Sequence, residues 1–397
     1  MQKKRKYILA LIVLSQFAGT SLWFVGNAVL PELKSALHLN QYATSLVTTA
    51  VMLGFVAGNL IFAFFSLADR FSPVRIFFFS TLLGAFSNAA VIWFVKDAAT
   101  LFTFRFITGF FIAGIYPVGM KIASDWFEKS LGKALGFLLG ALVLGTAFPH
   151  LLKNRDFELP WKSVLYFTSA FAVCGGLIIL FFVGDGPFRK RSGGFRWNAF
   201  KEIFKAKKMW LASLGYFGHM WELYTFWAFV PIMIGLYTQK NMVALNIPLL
   251  SFTIIGTGTI SCIIGGYLSQ QFGSAKVAIT ALIISALCCL ISPFIFTFPL
   301  WVFVLVLFAW GFAVIPDSPQ FSTLVAQLAP EQLRGTALTI YNAIGFSISI
   351  VSLIVTDYIL NSTGLLSGNN TFLILAVGPA LGILPMLHLI RSSKRKN

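Results

Sequence analysis

Apolar residues run along this chain in long unbroken stretches, each closed by a short polar or charged break. A helix needs about 20 mostly apolar residues to cross a bilayer. Stretches of that kind fall near 7–29, 43–65, 74–95, 99–122, 132–152, 162–184, 209–236, 248–270, 275–296, 299–328, 335–359 and 371–390. The breaks between them leave little room for a soluble domain. The pattern predicts an all-α membrane protein with twelve transmembrane helices.

One break is longer than the rest. Residues 185–208 hold a basic run and the stretch Trp197-Asn198-Ala199-Phe200-Lys201-Glu202-Ile203-Phe204. Its apolar positions recur at helical spacing, which predicts an amphipathic linker helix lying on the membrane surface. The chain then divides into a bundle of six spans over 1–184 and a second over 209–397. The halves echo each other at an offset near 200. Gly19…Trp23…Pro31 matches Gly218…Glu222…Pro231, and Leu67-Ala68-Asp69-Arg70-Phe71-Ser72 matches Leu268-Ser269-Gln270-Gln271-Phe272-Gly273. Glu128-x-x-x-Gly132 matches Glu331-x-x-x-Gly335. Spans 1 and 7 run in the same direction, so the two six-helix bundles are predicted to be parallel, pseudo-symmetric repeats. Transporters use that arrangement, with a substrate site near the midplane.

Composition narrows the class. The chain is 57% hydrophobic and 11% charged, against about 25% charged in soluble domains. The net charge is +17, but its placement argues against a nucleic-acid partner. With the amino terminus in the cytoplasm, inner segments carry 23 of the 30 Lys and Arg residues and outer loops six. That bias places both termini in the cytoplasm and brings the excess charge against anionic lipid. The first span lacks a small-residue cleavage site, so it reads as a membrane helix and not a signal peptide. Cys174, Cys262, Cys288 and Cys289 all fall in apolar stretches and read as packing residues, with neither a disulfide framework nor metal-ligand spacing.

Against this background three charges stand out. Arg105, Glu222 and Asp317 lie inside spans, where ionisable groups are costly and mark function. Arg105 presents a donor fork suited to a carboxylate or oxyanion. It reads either as a partner for substrate or a coupling acid, or as a structural group tied to backbone carbonyls. Burial works against the charged form of Glu222 and a nearby cation would favour it; a group so balanced can bind and release a proton. His219, three residues earlier on the same helical face, is a second proton candidate. The alternative for Glu222 is a permanently protonated acid bonded to His219 or a tyrosine for packing alone. A His-x-x-Glu pair without further ligands is no metal site. Asp317 sits between Pro316 and Pro319, which break the helical hydrogen-bond ladder. It reads as a gating or substrate-contacting residue, or as the cap of a kink.

These features resemble the major facilitator superfamily. The resemblance rests on twelve spans, the six-plus-six division and Leu67-Ala68-Asp69-Arg70 between spans 2 and 3, against a family signature of roughly Gly-x-Leu-Ala-Asp-Arg-x-Gly-Arg. Phe65 and Ser72 stand where glycines are usual. Arg105-Phe106-Ile107-Thr108-Gly109 is similar to the family's Arg-x-x-x-Gly motif on span 4. Gly19–Phe24, His219–Tyr224 and Asp317–Ser322 look like a bacterial branch grouped with nitrate/nitrite and cyanate-type anion porters. The glycine-rich asparagine signature of the nitrate porters is absent, and so is the Gly-Pro-x-x-Gly-Gly signature of drug/proton antiporters.

The resemblance implies a major facilitator fold in which spans 1, 4, 7 and 10 line a central cavity. Substrate contacts are then expected from Arg105, Trp23, Asn27, Tyr224, Trp227 and Asp317, and proton coupling from Glu222 and His219. Asp69 and Arg70 are expected to form a cytoplasmic gate with Glu128 and Glu331 as partners. The protein is expected to be a monomeric, non-enzymatic, multi-pass protein of a bacterial inner membrane. It needs no cofactor or metal, and its partners are a small solute, protons and lipids. The leading expectation is a proton-coupled carrier of a small anion working by alternating access. An exporter of amphipathic toxic compounds and a non-transporting membrane receptor are the competing readings.

Overall fold

The computed structural model describes residues 2–127, 131–154, 159–189, 205–330, 333–363 and 368–394. Among the described residues every regular element is helical. Among the described residues ten helices are long and apolar enough to cross a membrane. The first helix has a shorter apolar part, Tyr7–Thr20, and the helix Lys207–Asn241 runs for 35 residues. At 1.5 Å per residue the latter reaches about 50 Å, well beyond a hydrocarbon core of about 30 Å. The expected linker helix at 197–204 lies outside the described residues.

Contacts divide the chain into two compact units, residues 1–195 with 246–253, and residues 196–245 with 254–397. The first unit contains α1 (Gln2–Thr20), the short α2 (Val25–Ala28) and α3 (Leu30–Ala36), then α4 (Ala43–Phe64), the single turn α5 (Leu67–Arg70) and α6 (Pro73–Phe94). It continues through α7 (Ala98–Ile112), α8 (Tyr116–Trp126), α9 (Leu131–Leu152) and α10 (Trp161–Ile178), which runs on as a π turn over Ile179–Val183. The second contains α11 (Lys207–Asn241), most of α12 (Ile247–Phe272), α13 (Ser274–Ile295), α14 (Leu300–Ala313), α15 (Ser318–Leu328), α16 (Arg334–Leu360), a 3₁₀ stretch (Gly368–Ala376) and α17 (Val377–Lys394).

Local chemistry sets many of these boundaries. Asp97 opens α7 with a capping box: its Oδ1 accepts from the Thr100 backbone N–H at 2.8 Å, while Thr100 Oγ1 accepts from the Asp97 N–H at 3.2 Å. The Thr100 backbone bond, followed by the Thr100 hydroxyl, holds this exposed carboxyl below the usual carboxylate range. Gly273, at φ +85°, turns the chain between α12 and α13 in one residue, a conformation that suits glycine. Prolines stand in the first turn of α8 (Pro117) and α15 (Pro319), where their missing N–H costs no helical bond.

Small residues bring helices close. A Cβ on Gly54 would overlap the Phe106 carbonyl, and one on Gly109 the Val51 carbonyl, so α4 and α7 meet backbone to backbone. Gly218 of α11 and Gly378 of α17 face each other in the same way. The helices turn large apolar side chains outward, among them Phe86, Phe181, Trp301 and Leu384. Such a surface suits acyl chains and not water.

Candidate functional site

Three spans are interrupted. α1 stops at Thr20 and helix resumes at Val25; α7 stops at Ile112 and α8 begins at Tyr116; α14 stops at Ala313 and α15 begins at Ser318. Broken helices at membrane depth survive where protein or a cavity supplies the missing hydrogen bonds. Arg105 stands on α7 ahead of the second break and Asp317 lies in the third.

In the first unit Arg105, 1% exposed, serves the break in α1. Its Nη2 donates to the carbonyls of Leu22 at 2.9 Å and Trp23 at 2.8 Å. Its Nη1 donates to Asn88 Oδ1 on α6 at 2.8 Å. Asn88 Nδ2 in turn donates to the Leu165 carbonyl (3.3 Å), Thr168 Oγ1 (3.3 Å) and Ser169 Oγ (3.0 Å) on α10. Gly26 leaves room for the guanidinium, since a Cβ there would sit 3.2 Å from Arg105 Nε. The arrangement matches the reading of an arginine tied to backbone carbonyls. It leaves the buried Nε without a partner.

In the second unit Glu222, also 1% exposed, is held by neutral donors. Trp310 Nε1 on α14 donates to Oε1 at 2.5 Å, and Cys289 Sγ on α13 donates to the same oxygen at 3.3 Å. Ser285 Oγ, one turn before Cys289, donates to Oε2 at 2.9 Å. The Trp310 ring stacks on Phe226 with centroids 4.6 Å apart, which fixes its indole N–H. The alternative of a Glu222 bonded to His219 or a tyrosine is corrected: its recorded partners come from α13 and α14. Cys289, read from sequence as apolar packing, is part of the carboxylate's shell.

His219 instead meets Asp317. Its Nδ1 lies 2.9 Å from Asp317 Oδ1, and both side chains are 1% exposed. Tyr216 stacks on the imidazole at 5.8 Å and on Tyr341 at 3.8 Å, and Phe321 packs beside both Tyr216 (6.3 Å) and the imidazole (6.2 Å). Asp317 occupies the position before α15, yet its side chain makes no capping bond to that helix. The kink is there as the two prolines predicted, but the carboxylate turns to His219.

Asn27 Nδ2 donates to Thr48 Oγ1 at 2.7 Å, joining α2 to α4. Trp23 packs on Phe55 with centroids 4.8 Å apart. Tyr224 packs on Trp227 (5.4 Å) and Phe346 (5.1 Å). Trp23, Tyr224 and Trp227 are all buried. Asp69 lies 3.8 Å from Lys121 Nζ, which also pairs with Asp125 at 2.9 Å, and Arg70 is exposed. Glu128 and Glu331 lie outside the described residues. Nearby, Asp185 accepts from Ser72 Oγ (2.8 Å) and Arg189 (2.9 Å), fastening the end of α10 to the loop after α5. No group of three or more His, Cys, Asp or Glu able to hold a metal ion occurs among the described residues.

Sequence reasoning missed Asn88, Ser285, Cys289 and Trp310. One signal was available. Asn88 and Cys289 stand about 200 residues apart, the same offset that relates Trp23 to Glu222. Each unit therefore builds its polar core from its first, third and fourth spans.

Residues 11–353 match the family model described as Major Facilitator Superfamily. The chain is 23% identical over 434 residues to the Escherichia coli (strain K12) protein named "Probable galactarate/D-glucarate transporter GudP", covering 97% of this chain and 94% of that one. Among solved structures it is similar to a point mutant of the nucleoside transporter NupG, with TM-score 0.73, 15% identity and coverage of 96% and 99%. It is also similar to the human organic anion transporter MFSD10 (TETRAN), with TM-score 0.72, 14% identity and coverage of 97% and 99%. A bacterial homologue of the human lysosomal transporter Spinster, inward-facing and occupied, gives TM-score 0.72 at 14% identity and covers 98% and 97%.

Proposed function

Because the chain belongs to the Major Facilitator Superfamily, whose members carry solutes across membranes and are not enzymes, we propose that it is a proton-coupled secondary transporter of a small anionic solute. Glu222 carries this reading. It is a buried carboxyl whose recorded bonds all come from neutral donors. Burial works against its charge and three donors work for it, the balance a proton carrier needs. One proton moved through 100 mV supplies about 2.3 kcal/mol, enough to drive accumulation.

Charge and similarity support an anionic substrate. Arg105 supplies a cation in the first unit, and a relative at 23% identity is named for galactarate and D-glucarate, both sugar diacids. The stretches Gly19–Phe24, His219–Tyr224 and Asp317–Ser322 favour the nitrate/nitrite and cyanate-type branch, which also carries anions. We take the twelve spans to form two six-helix bundles, 1–184 and 209–397, joined by 185–208 and working by alternating access. The Lys and Arg bias supports cytoplasmic termini in a bacterial inner membrane.

The test is Glu222→Gln in proteoliposomes. Accumulation driven by a proton gradient should be lost while counterflow exchange of preloaded substrate continues. Undiminished accumulation in the variant would sink the coupling role.

A further inference from the structure

Ser285 makes two hydrogen bonds that Glu222 alone does not explain. Its Oγ lies 2.9 Å from Glu222 Oε2 and 3.2 Å from the Leu282 carbonyl one turn back on α13. A hydroxyl has one proton to donate and lone pairs to accept with. It therefore cannot donate fully to both oxygens at once. The two contacts fit two different states of the carboxyl.

We propose that Ser285 is a positioning residue that lets Glu222 hold and give up a proton without leaving its cage. When Glu222 is a carboxylate, the Ser285 O–H points at Oε2 and donates to it. When a proton arrives it bonds to Oε2, making the neutral acid, and that O–H donates to Ser285 Oγ. The Ser285 proton then swings to the Leu282 carbonyl. Ser285 keeps its own proton throughout; the one that moves comes from water and returns to water. This inference rests on Glu222 as the coupling group.

The rest of the shell does not perform this exchange. Trp310 Nε1 is a donor only and cannot accept from a carboxylic acid. Cys289 Sγ is a weak acceptor and touches Oε1, as the indole does. Oε1 thus keeps the same donors in both states and Oε2 carries the change. The titratable groups that act on Glu222 from neighbouring elements are Cys288 and Cys289 of α13 and Asp317 ahead of α15. A serine-to-alanine change disturbs none of these charges. Without Ser285 the acid O–H or the carboxylate oxygen is left buried and unpaired, a disfavoured arrangement in a low-dielectric interior.

Infrared difference spectroscopy on the full-length protein in lipid nanodiscs tests this. The carboxylic-acid C=O band that Glu222→Gln removes is assigned to Glu222 and followed against pH. In Ser285→Ala that band should move to higher frequency, and the pH at which it disappears should rise by about one unit, because the carboxylate loses a charge-assisted bond and the neutral acid only a weaker one. Ser285→Thr, which keeps the hydroxyl, should restore both. If the alanine variant does not fold, Ser285→Cys carries the same expectation, because a thiol fills similar space and accepts weakly. A band with wild-type frequency and pH dependence in the alanine or cysteine variant overturns the proposal. Failure of the coupling reading looks different: Glu222→Gln would still accumulate solute, whatever the band does in the Ser285 variants.

Discussion

Arg105 Nη2 donates to the carbonyl of Trp23 at 2.8 Å, across the gap where α1 has lost its own hydrogen bonds. A charged side chain thus replaces helical backbone donors in the first span. The same guanidinium reaches Asn88, so one residue links the first, third and fourth spans of the unit. Anything that draws Arg105 away, an anionic solute included, exposes the Leu22 and Trp23 carbonyls.

We predict that Arg105→Ala lowers the melting temperature of the purified protein as well as uptake. Three acceptors lose their donor, each at a cost of roughly 1–3 kcal/mol. Arg105→Lys should melt between the wild type and alanine, because an ammonium is a compact point charge without the guanidinium fork. A melting curve for Arg105→Ala that matches the wild type would show that the carbonyl contacts contribute nothing.

Trp310→Phe separates packing from hydrogen bonding at Glu222. Phenylalanine keeps an aromatic face for Phe226 but removes the donor at 2.5 Å. We expect proton-driven accumulation to fall by about tenfold, the effect of losing roughly 1.4 kcal/mol of a charge-assisted bond. Counterflow should change much less. Equal losses in both assays would mark Trp310 as a substrate contact instead.

What the sequence made legible was the unusual: three ionisable residues inside apolar spans, and a proline pair around Asp317. Rarity carries that information, since a charge in an apolar span needs a reason. Their partners were hidden because Ser285, Cys289 and Trp310 are ordinary in a membrane helix, and nothing local marks which serine meets a carboxylate. Helical spacing placed His219 and Glu222 on one face, and that suggested a pair. Position on a face does not fix a partner, and Asp317, nearly 100 residues away in sequence, took the imidazole. The break in α1 was equally silent. It contains Ser21, Leu22, Trp23 and Phe24, with neither glycine nor proline, and is supported from α7 by Arg105. The family fold was legible because repeated apolar stretches and the Leu67–Arg70 loop are local signals.

A double-mutant cycle measures the His219–Asp317 pair. Each single variant, His219→Gln or Asp317→Asn, leaves the other side chain buried with a changed partner. The double variant should destabilise by less than the sum of the singles, with a coupling of roughly 0.5–3 kcal/mol in thermal or denaturant melts. Strict additivity would mean that the 2.9 Å approach has no energetic weight.

Stability at the start of α7 should depend on pH. The Asp97 carboxyl is held below its usual range by the Thr100 backbone and side-chain bonds. A carboxyl depressed in the folded state adds stability above its unfolded pKa, near 3.9, and loses it as pH falls through the lower folded value. Asp97→Asn keeps an acceptor for the Thr100 N–H but has no charge to lose. We therefore expect the wild type to melt higher than Asp97→Asn at neutral pH. The gap should narrow as the pH drops below about 4 and close once Asp97 is protonated in both states. Asp97→Ala, which removes the cap itself, should melt lowest at neutral pH. Melting curves of the three proteins at several pH values test this, and a gap between wild type and asparagine that stays constant into acid would show that the cap works through shape alone.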